Sequence, residues 1–201
     1  MKSKLQSSNS ERQRKSRVRS PRSKVQSSKL AIVALGANLG DARSNVLKAM
    51  ERLQEFSDHP LKKSSLWKTV PVDCPPGSPV FVNAIVGLMP RRGETPESLL
   101  GKLQQIEKEF GRKPKKTLNE ARPLDLDLIV FGDERRHSAE LVLPHPRAHE
   151  RRFVLEPLNE IAPDLVLPGQ GKTVGELIEK LPEDNSCRKV GRAVPSAPQD
   201  G

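Results

Sequence analysis

The string with the most chemical content is Arg122-Pro-Leu-Asp-Leu-Asp-Leu-Ile-Val-Phe-Gly-Asp133. Side chains alternate along a strand, so Leu124, Leu126 and Leu128 point one way while Asp125 and Asp127 share the other face. Two carboxylates about 7 Å apart at Cα can reach one divalent cation, or bridge two lying about 3.5–4 Å apart around a polyphosphate. Oxygen ligands without Cys or His beside them favour Mg²⁺ over zinc. Taken alone, Asp-x-Asp is more often the wet face of an ordinary amphipathic strand. Asp is a poor strand former, however, and like charges two residues apart repel, so the pair costs stability unless a cation joins it.

A second string, Leu143-Pro-His-Pro-Arg-Ala-His-Glu-Arg-Arg-Phe-Val-Leu155, gathers His145, Arg147, His149, Arg151 and Arg152. Such donors suit phosphate oxygens. With Arg112, Lys113, Lys115, Lys116 and Arg122 ahead of the acidic pair, cations bracket it on both sides in sequence, the arrangement that a Mg-nucleotide needs. Several of these must be plain surface charges. In the run from Val80 to Leu88, Phe81 and Asn83 face away from Val82, Ala84 and Val86. A Phe beside an amide suits a flat heterocycle, with Phe153 as a second wall, although a place in the core fits the same pattern equally.

Two other strings lack the context their chemistry needs. Gly171-Lys172-Thr173 has Val166 where a phosphate-binding loop requires glycine. His145 and His149 stand four apart, but Pro146 interrupts a regular helix and no Glu follows the first His.

These groups need elements to hold them. Leu30 to Leu35 is a short apolar run ending at Gly36, as in a buried strand. Asp41 then supplies an N-cap, and Val46, Met50 and Leu53 recur at helical spacing. A weak strand over Lys62 to Thr69 precedes a Pro-rich loop and the strand from Val80. Thr95-Pro96 reads as an N-cap followed by proline in the first turn, and Leu99, Leu103, Ile106 and Phe110 form a stripe ending at Gly111. Leu124 to Phe131 is the fourth strand. The order predicts an α+β, ferredoxin-like βαββαβ sandwich with a C-terminal extension, both helices on one sheet face and the other left for function. Helical segments are expected near Arg151 to Glu160 and Thr173 to Leu181.

The chain has 201 residues, 34% of them hydrophobic, and a net charge of +10. Residues 1–29 hold ten Lys and Arg against Glu11, so +9 of that charge sits there and +1 in the rest. That segment is expected to be a disordered basic tail, 30–181 the folded domain and 182–201 a loose C-terminal tail. An Arg- and Ser-rich leader also fits a transit peptide, and nucleic acid contact is expected only through it. A nucleic-acid-binding module of the same fold would present exposed sheet aromatics, where this chain presents two acids. No apolar run approaches the roughly 20 residues of a membrane span. Cys74 and Cys187 form no CxxC pair, and a cytoplasmic location follows.

Ala34-Leu-Gly-Ala-Asn-Leu-Gly40, Phe81-Val-Asn83, Arg122-x-Leu-Asp-Leu-Asp-Leu128 and Pro144-His145 with Arg151-x-Phe153 occur in one order over about Leu30 to Leu181. Together they resemble the 6-hydroxymethyl-7,8-dihydropterin pyrophosphokinase family. The resemblance implies a monomer that moves pyrophosphate from ATP to 6-hydroxymethyl-7,8-dihydropterin, leaving AMP. Asp125 and Asp127 would hold two Mg²⁺ with ATP. Phe81 and Phe153 would sandwich the pterin, with Asn83 and the backbone around Thr69, Val70 and Val72 at its edge. Arg112 and Arg122 would close over the phosphates, while Gln104, Glu107, Leu128, His145 and Arg151 complete the nucleotide side. Asn119-Glu120-Ala121 stands where the family often has Trp-Gly-Pro, and Phe81 where many members have Tyr. The basic leader falls outside the pattern.

Overall fold

The computed structural model describes residues 30–71, 74–113, 120–182 and 186–191; the basic leader, Val72 and the outermost C-terminal residues lie outside them. Strand β1 (Ala31–Ala37) is the apolar run. It pairs antiparallel with β4 (Phe81–Leu88) on one side and β5 (Asp125–Phe131) on the other. Helix α1 (Ala42–Gln54) starts where Asp41 accepts a hydrogen bond from the Ser44 N–H at 3.0 Å. Helix α2 (Pro96–Glu109) starts where Thr95 accepts from the Ser98 N–H at 3.1 Å. Beyond α2, Gly111 takes a φ of 86°, a left-handed conformation that costs glycine little.

The segment expected as one weak strand is two, β2 (Lys62–Lys63) and β3 (Leu66–Thr69), with sheet order β5-β1-β4-β3 and β2 also on β4. Lys63 pairs with Val86 but Trp67 with Asn83, so one extra residue bulges between them. Ser64 bridges the break. Its N–H donates to the Ile85 carbonyl at 3.0 Å, and its hydroxyl accepts the Ile85 N–H at 2.9 Å in place of a ladder carbonyl.

Strand parity divides the sheet into two faces. Val33, Leu35, Val82, Ala84, Leu124, Leu126 and Leu128 meet α1 and α2. The opposite face is not simply open, as expected from the pattern. Ile32, Ile85, Ile129 and Val130 on that face pack under α3 (Arg152–Ile161) and α4 (Val174–Ile178). Four branched side chains exposed there would forfeit about 1.5–3 kcal/mol each, so this half demands cover. A capping box of Thr173 and Glu176 starts α4. The hairpin β6 (Arg136–His137) and β7 (Val142–Leu143) follows β5.

The expectation of a loose segment from 182 onward also needs correction. Cys187–Gly191 is strand β8, the antiparallel neighbour of β3. Its residues are polar or half-buried because it forms an edge, so the apolar signature of a core strand is missing.

Replacing Ser64 by Ala should strand the buried Ile85 N–H and lower the unfolding free energy by about 1–3 kcal/mol. Urea denaturation checks this, and an unmoved midpoint with an unchanged slope would show that the ladder closes without the hydroxyl.

Candidate active site

Register brings the chemistry-bearing residues into rows across one face. Asn83 pairs with Gly36, and Gly36 with Asp125; Ile85 pairs with Ala34, and Ala34 with Asp127. The central strand thus contributes only a glycine and an alanine between the amide on β4 and the acids on β5. A Cβ at Gly36 would lie 3.0 Å from Asn83 Oδ1, closer than ordinary packing allows. The small residues form the floor of a cavity of about 330 Å³. That volume lies within the ordinary range for small-ligand sites.

Toward β3 and β4 the cavity is lined by aromatic and amide side chains. Thr69 on β3 pairs with Phe81 on β4. Asn83 Nδ2 donates to Thr69 Oγ1 at 2.6 Å, and both polar side chains are buried. Phe81 and Phe153 line the same cavity. Phe153 stands in the first turn of α3, and the Arg151 guanidinium lies 5.4 Å from its ring centre.

At the other end sits a charged network. Asp125 accepts from Arg112 on Oδ1 and from Arg122 on Oδ2, each at 2.8 Å. Arg112 also pairs with Glu107, whose Oε1 accepts the Leu126 N–H at 2.7 Å. Burial raises the Glu107 pKa, opposed by the Leu126 N–H and the Arg112 charge. Asn38 places Arg122: its Oδ1 accepts the Arg122 N–H at 2.8 Å, and its own N–H donates to the Arg122 carbonyl at 3.1 Å. Asn38 Nδ2 reaches the Pro79 carbonyl at 3.3 Å, tying the turn after β1 to the entry of β4.

The Asp127 carboxylate, on a residue whose backbone pairs with Ala34, has no hydrogen-bond or ion-pair partner among the described residues. Burial first, and the Asp125 charge second, push its pKa up to about 6; Arg151, Arg112 and Arg122 oppose the shift from a distance. This is a carboxylate that the protein alone does not compensate. His145 is held by its N–H to the Ile129 carbonyl at 2.8 Å, and its Nδ1 accepts the Arg147 N–H at 3.3 Å. Burial, then Arg151 and Arg147, lower its pKa, so the ring is neutral at neutral pH.

Of the residues singled out in the sequence, Thr69, Val70, Phe81, Asn83, Arg122, Asp125, Asp127, Arg151 and Phe153 line one cavity. Arg112 reaches it through Asp125. Glu107 lies buried on α2, engaged by Leu126 and Arg112. Gln104 is exposed on α2, and the Leu128 side chain sits in the helix-facing core. Val72 lies outside the described residues. Sequence reasoning missed the structural part played by Asn38, the Ala34–Gly36 floor and the wall of Leu181, Pro182 and Ser186. Small residues at alternate positions of the first strand were the visible signal for the floor, readable only with the register known.

Among the described residues no group of three or more His, Cys, Asp or Glu is arranged to hold a metal alone. A cation here would complete its coordination with oxygens of a ligand or water, as Mg²⁺ commonly does. Asp125 and Asp127 fit that ion by donor type, by adjacency and by the uncompensated state of Asp127.

A family model described as 7,8-dihydro-6-hydroxymethylpterin-pyrophosphokinase matches residues 32–163. The 2-amino-4-hydroxy-6-hydroxymethyldihydropteridine pyrophosphokinase of Synechocystis is 40% identical over 151 residues, which is 75% of this chain and 75% of that protein. The Haemophilus influenzae protein of the same name is 36% identical over 152 residues, 75% of this chain and 92% of its own length. A solved Plasmodium falciparum HPPK-DHPS A437G structure with SDX-DHP superposes with a TM-score of 0.61 at 15% identity, a likeness of fold alone. It covers 76% of this chain, which spans 45% of that longer one. With the family model spanning well over half of its length, and such relatives across three quarters of it, the chain belongs to the 7,8-dihydro-6-hydroxymethylpterin-pyrophosphokinase family.

Proposed function

We propose that this chain transfers pyrophosphate from ATP to 6-hydroxymethyl-7,8-dihydropterin, giving AMP and the pterin diphosphate used in folate biosynthesis. The observation that carries the reading is one cavity with an aromatic and amide surface at one end and two carboxylates ringed by arginines at the other. The finer architecture, a ferredoxin-like sandwich, belongs to the same reading. Its support is the antiparallel order β5-β1-β4-β3, with α1 and α2 sharing one face.

Phe81 and Phe153 flank the pterin ring, and the Asn83–Thr69 pair meets its polar edge with the backbone at Val70. The hydroxymethyl group then points along the floor toward β5. Asp125 and Asp127 would hold two Mg²⁺ with the ATP phosphates. The ions, when bound, neutralise charge on the phosphate oxygens and hold the β-phosphorus open to attack. The pterin oxygen forms a bond to the β-phosphorus, its proton leaves to solvent, and the bond from that phosphorus to the α-bridging oxygen breaks, so AMP departs with that oxygen. Arg112 and Arg122 occupy Asp125 in the free protein as stand-in cations. With Asp125 engaged in holding Mg²⁺, both guanidinium groups would be free to face the phosphates, where planar donors suit the charge that builds up in transfer. Arg151 and the neutral His145 stand beside them. Catalysis comes from positioning and electrostatics, with no strong general base. Monomeric, cytoplasmic operation belongs to the same reading; among the described residues no helix is long and apolar enough to cross a membrane.

Mixing the protein with ATP, Mg²⁺ and 6-hydroxymethyl-7,8-dihydropterin should release AMP, and omitting the pterin should stop it; AMP release indifferent to pterin would sink the assignment. Arg112→Ala and Arg122→Ala should each lower kcat by about 10²-fold while changing ground-state nucleotide affinity only a few-fold. Losses in affinity alone would remove the clamp.

Asp127→Asn separates catalysis from folding. The folded carboxyl keeps its proton up to about 6 whereas the ordinary value is 3.8, so its ionisation opposes folding, increasingly as pH rises from about 4 to about 6 and fully above that. The neutral variant should therefore be more stable than the parent in metal-free buffer at pH 7, by on the order of 2 kcal/mol, and equal to it near pH 4. Its turnover should be almost abolished. Thermal unfolding at the two pH values reads the first effect and AMP release the second.

A further inference from the structure

We propose that Arg152 is a positioning residue that fastens Leu181 and Pro182, which together with Ser186 form the end wall of the pterin half of the cleft, and so limits how far the heterocycle extends away from the aspartates. The ligand's identity rests on the pyrophosphokinase reading above; the wall itself rests on geometry.

Arg152 borders the cavity, yet all three nitrogens of its guanidinium are engaged. Nε donates to the Pro182 carbonyl at 2.9 Å, Nη2 to the Leu181 carbonyl at 3.0 Å, and Nη1 to Glu156 Oε1 at 2.6 Å. A phosphate ligand keeps donors facing the anion. This group turns them instead to two backbone carbonyls some thirty residues further along the chain, with Glu156 neutralising its charge. Its position is also poor for a cation, because the first turn of a helix carries the positive end of the dipole and Arg151 stands next to it. Contacts at the guanidinium must offset that cost. A planar fork spanning two carbonyls is a task for Arg that Lys performs only in part.

The fastened segment meets the pterin end of the cavity. Leu181, Pro182 and Ser186 all line it. The Ser186 carbonyl accepts the Val70 N–H at 2.9 Å, next to Thr69, and β8 then runs along β3 with Cys187 opposite Thr69. In the sheet order, β5 with the aspartates and β3 with Thr69 are three steps apart, about 14 Å at the usual strand spacing. A substrate whose reacting hydroxymethyl faces β5 must present its far ring edge to Thr69, Asn83 and this wall. These wall residues lie beyond the stretch 32–163 that the family model matches, so membership alone assigns them no role.

Kinetics of Arg152→Ala and Arg152→Lys in the full chain test the wall. Arg152→Ala should raise KM for the pterin about tenfold, with kcat and KM for ATP within about twofold of the parent. Arg152→Lys should fall between. Calorimetric titration of pterin should show the same order of Kd values. A raised KM for ATP with the pterin KM unmoved would make Arg152 a phosphate ligand and overturn the proposal, as would an unchanged pterin Kd in both variants. If the Ala variant does not fold, the Lys variant decides by the same split. Parent protein that binds pterin but releases no pterin-dependent AMP would refute the pyrophosphokinase reading while leaving the Kd comparison to judge the wall.

Discussion

Placing two carboxylates side by side on a half-covered sheet is the constraint around which the site is built. Removing a charge from water costs several kcal/mol unless opposite charge or hydrogen bonds replace the solvent. The chain does this for Asp125 and not for Asp127. Arg112 and Arg122 take one oxygen each of Asp125. Glu107 steadies Arg112 from beneath the strand, and Asn38 fixes the backbone that carries Arg122. Asp127 is left with distant guanidinium charges and a raised pKa. The fold thus retains a local deficit of positive charge at the place where a Mg-nucleotide would supply it. Such a deficit is a common mark of a functional site.

The legible part of this site was the part written in local period. Alternation separated Leu126 and Leu128 from Asp125 and Asp127, and Val82 and Ala84 from Phe81 and Asn83, because a strand has only two faces, but it did not show that Ile85, Ile129 and Val130 pack in a second core. Caps at Asp41 and Thr95 were equally local. What escaped depends on register or on distant partners. The Ala34–Gly36 floor matters only because Gly36 stands opposite both Asn83 and Asp125, and no single-strand pattern shows that pairing. Glu107, which the resemblance put on the nucleotide side, is also the buried acceptor for Leu126 and Arg112, a partnership that helical spacing does not show. Strand β8 has an edge composition that hides it. The break at Ser64 needed a hydroxyl to act as a ladder acceptor, which composition does not announce.

One sheet face serves as both core and cleft, and the change of use follows the side chains down the strands. On β1 the sequence runs from Ile32 through Ala34 to Gly36, on β4 back from Ile85 through Asn83 to Phe81, and on β5 from Ile129 through Asp127 to Asp125. The branched apolar residues Ile32, Ile85 and Ile129 share one end of the three strands and small or polar residues follow them, with Phe81 alone apolar at the far end, so α3 and α4 are drawn over one half by burial and the other half stays hollow. The start of α3 stands at that boundary. Its first turn delivers Phe153 to the cavity while Val154, Leu155 and Leu158 go into the core. An aromatic wall on a helix locked by its own apolar face is held more rigidly than one on a loop, which matters for stacking on a flat ring. The same packing that closes the second core therefore places the second aromatic wall of the cleft, and core and cleft cannot vary independently along this helix.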